Sequence, residues 1–132
     1  MDCIFCKIIA GEIPSFKLYE DDNFIAILDR FPASPGHALI IPKRHAVDLF
    51  ELTPAEAAAI LPLAQKLGGK IKSILGADGL KIMQNNGSAA GQDVMHYHLH
   101  LIPCSASDGL EMPFKPTDPG LDALAEIAKR LQ

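Results

Sequence analysis

Basic side chains are in short supply: twelve Lys and Arg stand against sixteen Asp and Glu, for a formal net charge of -4. Such a chain has no general attraction to nucleic-acid polymers or anionic membranes, although a local patch can still hold one small phosphorylated ligand. Long apolar runs are missing too. Every promising stretch is broken by a charge, Pro or Gly well short of the roughly 20 residues needed to cross a bilayer, so no membrane insertion is expected. The start, Met1-Asp2-Cys3-Ile4-Phe5-Cys6, lacks the basic region, apolar stretch and small-residue cleavage site of a secretory signal, which makes the cytoplasm the expected compartment. Cysteine is scarce and odd in number, at three. In a reducing compartment the Cys3-x-x-Cys6 spacing suits a metal half-site or redox pair better than a structural disulfide.

What is present suffices for a folded core. With 132 residues, 48% hydrophobic and 21% charged, the chain reads as one compact domain spanning residues 1–132. Cys3 to Ile9 reads as a short helix, and Phe16–Tyr19 and Asn23–Leu28 as a hairpin around Glu20-Asp21-Asp22. His37–Ile41 is an apolar strand closed by Pro42. Thr53-Pro54-Ala55-Glu56 has the form of a capping box with Pro at the first helical position. From there Ile60, Ala64, Leu67, Ile71 and Ile74 draw one apolar stripe that predicts a long helix packed on a sheet. Pro62 is a possible kink, and Gly68-Gly69 a place for close approach. Gly79–Gln84 and Val94–Ile102 read as further strands, the second ended by Pro103. After Asp118-Pro119-Gly120 a short helix carries Leu121, Leu124, Ile127 and Leu131 on one face. Strands, a long helix and strands again predict an antiparallel α+β domain.

The run His96-Tyr97-His98-Leu99-His100 is the most informative segment. On a strand, alternate residues share a face, which would set the three imidazoles in a row roughly 6.6 Å apart. Tyr97, Leu99 and Leu101 would face the core and pin the register. Packing does not explain three alternating histidines. A metal centre, a general acid–base pair and a histidine nucleophile that attacks phosphorus are the three chemistries that do. The preceding loop, Asn85-Asn86-Gly87-Ser88-Ala89-Ala90-Gly91-Gln92, offers accessible backbone N–H groups and neutral amides suited to phosphate. A neutral imidazole whose second nitrogen donates to a carbonyl has its lone pair fixed toward a substrate, which favours attack on phosphorus.

His96-Tyr97-His98-Leu99-His100-Leu101-Ile102 resembles the histidine triad signature, three histidines alternating with hydrophobic residues. The resemblance runs from Ile4-Phe5-Cys6-Lys7-Ile8-Ile9 through Gly36-His37 and Ile41-Pro42-Lys43-Arg44-His45 to Ala90-Gly91-Gln92, as far as Pro103. It implies the fold of the histidine triad family, a five-stranded antiparallel sheet with one long helix and a short C-terminal helix, and its nucleotide-binding branch. It further implies that His98 attacks the α-phosphorus of a purine nucleoside phosphoramidate and that water then releases the monophosphate. His100 and His37 would flank the phosphate, Asn85, Gly91 and Gln92 would hold its oxygens, and Asp29 would bind the ribose. Phe5, Ile8 and Ile13 would lie along the nucleobase pocket. Family members commonly form two-fold dimers, and a homodimer is expected here. Asp93 departs from the pattern, because the family often has Ser or Thr there to bind phosphate. The chain also lacks the tryptophan and C-terminal segment of the best-known phosphoramidases. Hydrolysis of dinucleoside polyphosphates therefore stands as the alternative substrate class, and a non-catalytic purine-nucleotide sensor as the alternative to an enzyme.

Two thiolates leave a tetrahedral zinc two ligands short. Some members of the family, and of its galactose-1-phosphate uridylyltransferase relatives, complete such a site with an upstream histidine and the first triad histidine. By that resemblance Cys3, Cys6, His45 and His96 form a structural zinc site that leaves His98 free of metal, and no organic cofactor is expected. Cys104 has no partner in this scheme.

Overall fold

In chain order the protein forms a short helix α1 (Ile4–Ile9), strands β1 (Lys17–Glu20), β2 (Phe24–Leu28) and β3 (Ala38–Pro42), a long helix α2 (Pro54–Leu75), strands β4 (Gly79–Met83) and β5 (Leu99–Cys104), and a last helix α3 (Leu121–Leu131). The structure is a computed structural model that describes residues 2–108, 110 and 114–132. The strands make one five-stranded antiparallel sheet in the order β1-β2-β3-β5-β4. This is the α+β architecture expected, with its long helix and short C-terminal helix.

Alternation along the strands sorts side chains between two faces. Phe24, Ala26, Ala38, Ile40, Leu99 and Leu101 pack with Ile60, Leu63, Ala64 and Leu67 of α2. On the other face, Ile25, Ile27, Leu39 and Ile41 meet Cys3 and Phe5 at α1. With both faces covered, β2 and β3 are apolar throughout. The same parity places the polar residues at the strand ends. Asp29 is in phase with Ile25 and Ile27, His37 with Leu39 and Ile41, and His100 is out of phase with Leu99 and Leu101, so all three belong to the α1 face. The Asp29 N–H donates to the His37 carbonyl at 2.9 Å, which extends the β2–β3 ladder to this pair.

The capping box of α2 is fully formed: Thr53 Oγ1 accepts from the Glu56 N–H and Glu56 Oε1 accepts from the Thr53 N–H. Arg44 grips both oxygens of Glu56 at 2.7 and 3.2 Å, tying the helix start to the segment that follows β3. The helix continues through Pro62, which is exposed.

Three expectations need correction. β1 is shifted by one residue, and Phe16 is left exposed. The buried stripe of α2 ends at Gly68. Ile71 still packs partly buried against the core, while Ile74 is exposed, and both border an open apolar groove with Leu18, Leu28 and Leu75. α3 forms where expected, with Gly120 at its start, and Leu121, Leu124, Ile127 and Leu131 are all exposed. The last strand is Leu99–Cys104 rather than Val94–Ile102, so His96 and His98 precede it. Pro103 is tolerated within β5 because β3 pairs only as far as Leu101. A strand residue's N and O point the same way, and the Pro103 carbonyl accepts from Ser34 Oγ, so its missing N–H faces a side where the ladder has ended.

The paired glycines of α2 differ in their surroundings. A Cβ at Gly68 would lie 2.5 Å from Leu80 Cδ2, whereas one at Gly69 would meet nothing within 4 Å. Gly69→Ala should therefore raise stability by about 0.5–1 kcal/mol through helix propensity. Gly68→Ala must displace Leu80 and forfeits that gain, so thermal unfolding should rank Gly69→Ala above Gly68→Ala.

Candidate active site

The histidines are oriented by hydrogen bonds, mostly to backbone groups. His98 Nδ1 lies 2.8 Å from the His96 carbonyl oxygen, so a neutral ring carries its hydrogen on Nδ1 and leaves Nε2 bare. His96 Nε2 donates to the Pro42 carbonyl at 2.8 Å, which bares His96 Nδ1. His37 Nδ1 accepts the Ala33 N–H at 2.9 Å, forcing the His37 hydrogen onto Nε2. That Nε2–H donates to His100 Nδ1 at 2.9 Å, so the hydrogen of His100 sits on Nε2. The result is one bare nitrogen on His98 and one N–H donor on His100, on rings whose centroids are 5.0 Å apart.

These bonds also explain why the strand begins late. The Pro42 and His96 carbonyls, which could have extended the ladder, are taken by imidazoles. The Tyr97 N–H goes to the Ala46 carbonyl instead.

His37, His96 and His98 are buried, and Phe5 sets its ring edge-on to His98 at 5.0 Å. Burial lowers the pKa of His37, against the opposing pull of the Asp29 carboxylate. Burial, followed by the neighbouring His98 and His37, pushes His100 from 6.5 to about 4. Both rings are thus neutral at physiological pH, as the hydrogen-bond relay between them requires. Asp29 holds the Phe31 N–H on Oδ1, and its Oδ2 lies 3.4 Å from His37 Nε2.

A second centre lies beside the first. The ligand atoms of Cys3, Cys6, His45 and His96 all fall within 4.8 Å of one another. Cys3 Sγ and Cys6 Sγ are 3.4 and 3.6 Å from His96 Nδ1, Cys6 Sγ is 3.3 Å from His45 Nδ1, and the two Nδ1 atoms are 3.1 Å apart. A tetrahedral zinc with bonds of about 2.3 Å to sulfur and 2.0–2.1 Å to nitrogen requires S···N edges of about 3.5 Å and N···N edges of about 3.3 Å. The donor set fits that ion, and the bare His96 Nδ1 is the ligating form. Asp29, His37 and His100 also cluster. They suit a metal poorly, because His37 Nε2 carries the hydrogen that Ala33 forces onto it.

The remaining expected site residues fall around these centres. Asn85 lies two residues beyond Met83, the partner of His100, and so near the level of His98. Its amide packs 3.3 Å from where a Cβ on Gly91 would stand, and Gly91 has φ +95°. The Gln92 amide is turned inward: Nε2 donates to the Val47 and Val94 carbonyls, and Oε1 accepts the Gly87 N–H. It therefore braces the loop. Ile8 packs in the apolar layer under α1, and Ile13 lines a cleft of about 620 Å³ with Lys7 and Asp93. Sequence reasoning missed the Pro42 carbonyl and the Ala33 N–H, which no side-chain pattern announces. It also left open where Asp93 points; its Oδ1 lies 3.5 Å from His98 Nε2.

Comparison with known proteins agrees with this geometry. The model of the HIT domain family matches residues 10–106. An adenylylsulfatase of Arabidopsis thaliana is 47% identical over 83% of the chain, which spans 55% of that longer protein. An adenosine 5'-monophosphoramidase of Schizosaccharomyces pombe is 43% identical, covering 90% of this chain and 89% of its own. The crystal structure of a zinc-bound histidine triad family protein from Mycobacterium smegmatis superposes with a TM-score of 0.80 at 37% identity, over 98% of both chains.

The depressed His100 pKa has a measurable consequence. An unfolded His100 titrates near 6.5 and the folded one near 4, so the unfolded state binds more protons between these values. The stabilisation is complete above about pH 6.5 and is lost as pH falls toward 4. Thermal melts across this range should show that decline, and His100→Asn should flatten it.

Proposed function

Since the chain belongs to the histidine triad (HIT) family and is an enzyme of its hydrolase type, we propose that it releases nucleoside monophosphate from purine nucleoside phosphoramidates through a nucleotidyl-histidine intermediate. The observation that carries this reading is the bond from His98 Nδ1 to the His96 carbonyl, which leaves Nε2 as a bare, oriented nucleophile. His98 Nε2 attacks the α-phosphorus, the P–N bond breaks with its electron pair going to a nitrogen that takes a proton from solvent and leaves as the amine, and the nucleotidyl group stays on the ring. Water then displaces His98 and the monophosphate leaves. The His100 Nε2–H donates to a phosphoryl oxygen as charge develops there, its direction set by His37. Asn85 and Gly91 receive the other oxygens in a loop braced by Gln92. Asp29 accepts the ribose hydroxyls, and Phe5, Ile8 and Ile13 border the purine. The phosphoramidase of Schizosaccharomyces pombe supports this substrate class.

In this reading Cys3, Cys6, His45 and His96 hold a structural zinc, which when bound supplies a cross-link between the N-terminus and the segment leading into β5. The zinc-bound relative supports it. We further infer a two-fold dimer, formed where the edge strand β4 exposes Ile82. The three free cysteines suit the reducing cytoplasm. Among the described residues no helix is long and apolar enough to cross a membrane.

His98→Ala should lower turnover of adenosine 5'-phosphoramidate by about 10³-fold or more while the protein still folds and binds AMP. Rapid quench and mass spectrometry of the wild type should find the adenylyl group on the His98 peptide. Near-normal turnover by the variant would refute the nucleophile assignment. Metal analysis should give one zinc per chain. Cys3→Ser should lose the metal and melt several degrees lower, and an unchanged zinc content would count against this ligand set.

A further inference from the structure

We infer that Asp93 is a specificity-determining residue that selects the leaving group, favouring one that departs as an amine over one that departs as an anion. The inference rests on the hydrolase reading above and adds to it the chemistry of the group expelled. Asp93 Oδ1 stands 3.5 Å from His98 Nε2, beside the nitrogen that the bond from Nδ1 to the His96 carbonyl aims into the site. The Asp93 side chain is 82% exposed against 7% for His98, so the carboxylate lies at the mouth of the site and can turn toward a ligand. Among the described residues, the Lys and Arg ion pairs go to Asp2, Glu20, Glu56 and Glu126 and none of them to Asp93, whose ion-pair contact is His98 itself. Asp93 also lines the cleft that contains Ile13, Met95, Asp2 and Lys7. There the Lys7 charge is taken by Asp2 at 3.0 Å. The uncompensated charge beside the nucleophile is therefore negative.

In an in-line displacement the leaving atom sits across phosphorus from the nucleophile. In the proposed role the exposed Asp93 side chain rotates its carboxylate away from Nε2 and toward that atom. A phosphoramidate nitrogen takes a proton from solvent at the open mouth of the site and is then expelled as a neutral amine when the P–N bond breaks. Asp93 stabilises that protonated form, accepting a charge-assisted hydrogen bond from it as the bond electrons return to nitrogen. An oxygen of phosphate, polyphosphate or sulfate offers only lone pairs and departs with negative charge, which the same carboxylate opposes. One residue thus separates two leaving-group classes attached to the same adenylyl group, those of a phosphoramidase and those of an adenylylsulfatase or dinucleoside polyphosphate hydrolase.

The test is a ratio. Wild type, Asp93→Asn and Asp93→Glu are assayed on adenosine 5'-phosphoramidate, diadenosine tetraphosphate and adenylyl sulfate, with kcat and KM determined separately. Since all three substrates share the adenylyl moiety, damage to folding or nucleotide binding cancels in the ratio of kcat/KM values. The wild type should prefer the phosphoramidate. Asp93→Asn should reduce that preference on the order of tenfold to a hundredfold, the size expected for one partly screened charge, and Asp93→Glu should restore most of it. A wild type that turns over the phosphoramidate but keeps the same ratio in Asp93→Asn overturns the inference and leaves the hydrolase reading intact. A wild type that prefers the anionic leaving groups overturns it as well. A folded wild type that forms no adenylyl-His98 from any substrate overturns the hydrolase reading, and the inference falls with it.

Discussion

The site depends on the capture of imidazole hydrogens by fixed partners. A neutral histidine can place its hydrogen on either nitrogen and turn its ring to suit, so five adjacent rings would otherwise populate many arrangements. Here the His96 carbonyl holds the hydrogen of His98 on Nδ1, the Pro42 carbonyl holds that of His96 on Nε2, and the Ala33 N–H excludes the hydrogen of His37 from Nδ1. Three chemically different nitrogens result from one side-chain type: a bare Nε2 on His98, a bare Nδ1 on His96 facing the cysteine sulfurs, and a directed donor on His37. Burial supports the arrangement by keeping His37 and His100 from gaining a second proton.

This orientation is achieved at the expense of the sheet. Backbone carbonyls in a covered region need a partner, and on a regular strand the neighbouring strand provides it. Between His96 and His98 the imidazoles provide it instead, so β5 begins only at Leu99 and the histidines stand on a segment held by their own rings. The Tyr97 N–H, paired with the Ala46 carbonyl at 2.7 Å, keeps that segment in phase with the sheet. The hydrogen bonds are redirected rather than lost, and among the described residues no buried side-chain polar atom lacks a partner.

What the sequence revealed follows from this. Alternation along the histidine run, the capping box at Thr53 and the two-residue spacing of Cys3 and Cys6 are side-chain patterns with direct structural meanings, and each is found in the fold. The start of β5 was not legible, because a histidine that bonds to a strand neighbour's carbonyl leaves the same letter pattern as one that does not. Ala33 and Pro42 act through groups that every residue's backbone carries, or nearly so. Gln92 shows the same limit. Its amide suits phosphate as well as it suits the Val47 and Val94 carbonyls, and only the folded loop shows where the two donors go. Ile74 fits the helical period, yet α2 outruns its buried stripe by about two turns, a length set by tertiary packing.

His96 joins the two halves of the site. Its ring faces the two cysteine sulfurs and His45, while its carbonyl fixes the tautomer of His98. Whatever orders the ring therefore orders the carbonyl, since both hang on one backbone that the Pro42 bond clamps from the other side. Cys3 contributes at the opposite end: its sulfur both faces His96 and caps α1, accepting the Cys6 N–H at 3.4 Å. α1 in turn carries Phe5, whose ring edge rests on both His96 and His98. The path from the N-terminal cysteines to His98 thus runs through one side chain and one peptide group. A cross-link there would stiffen the orientation of His98 without touching its bare Nε2.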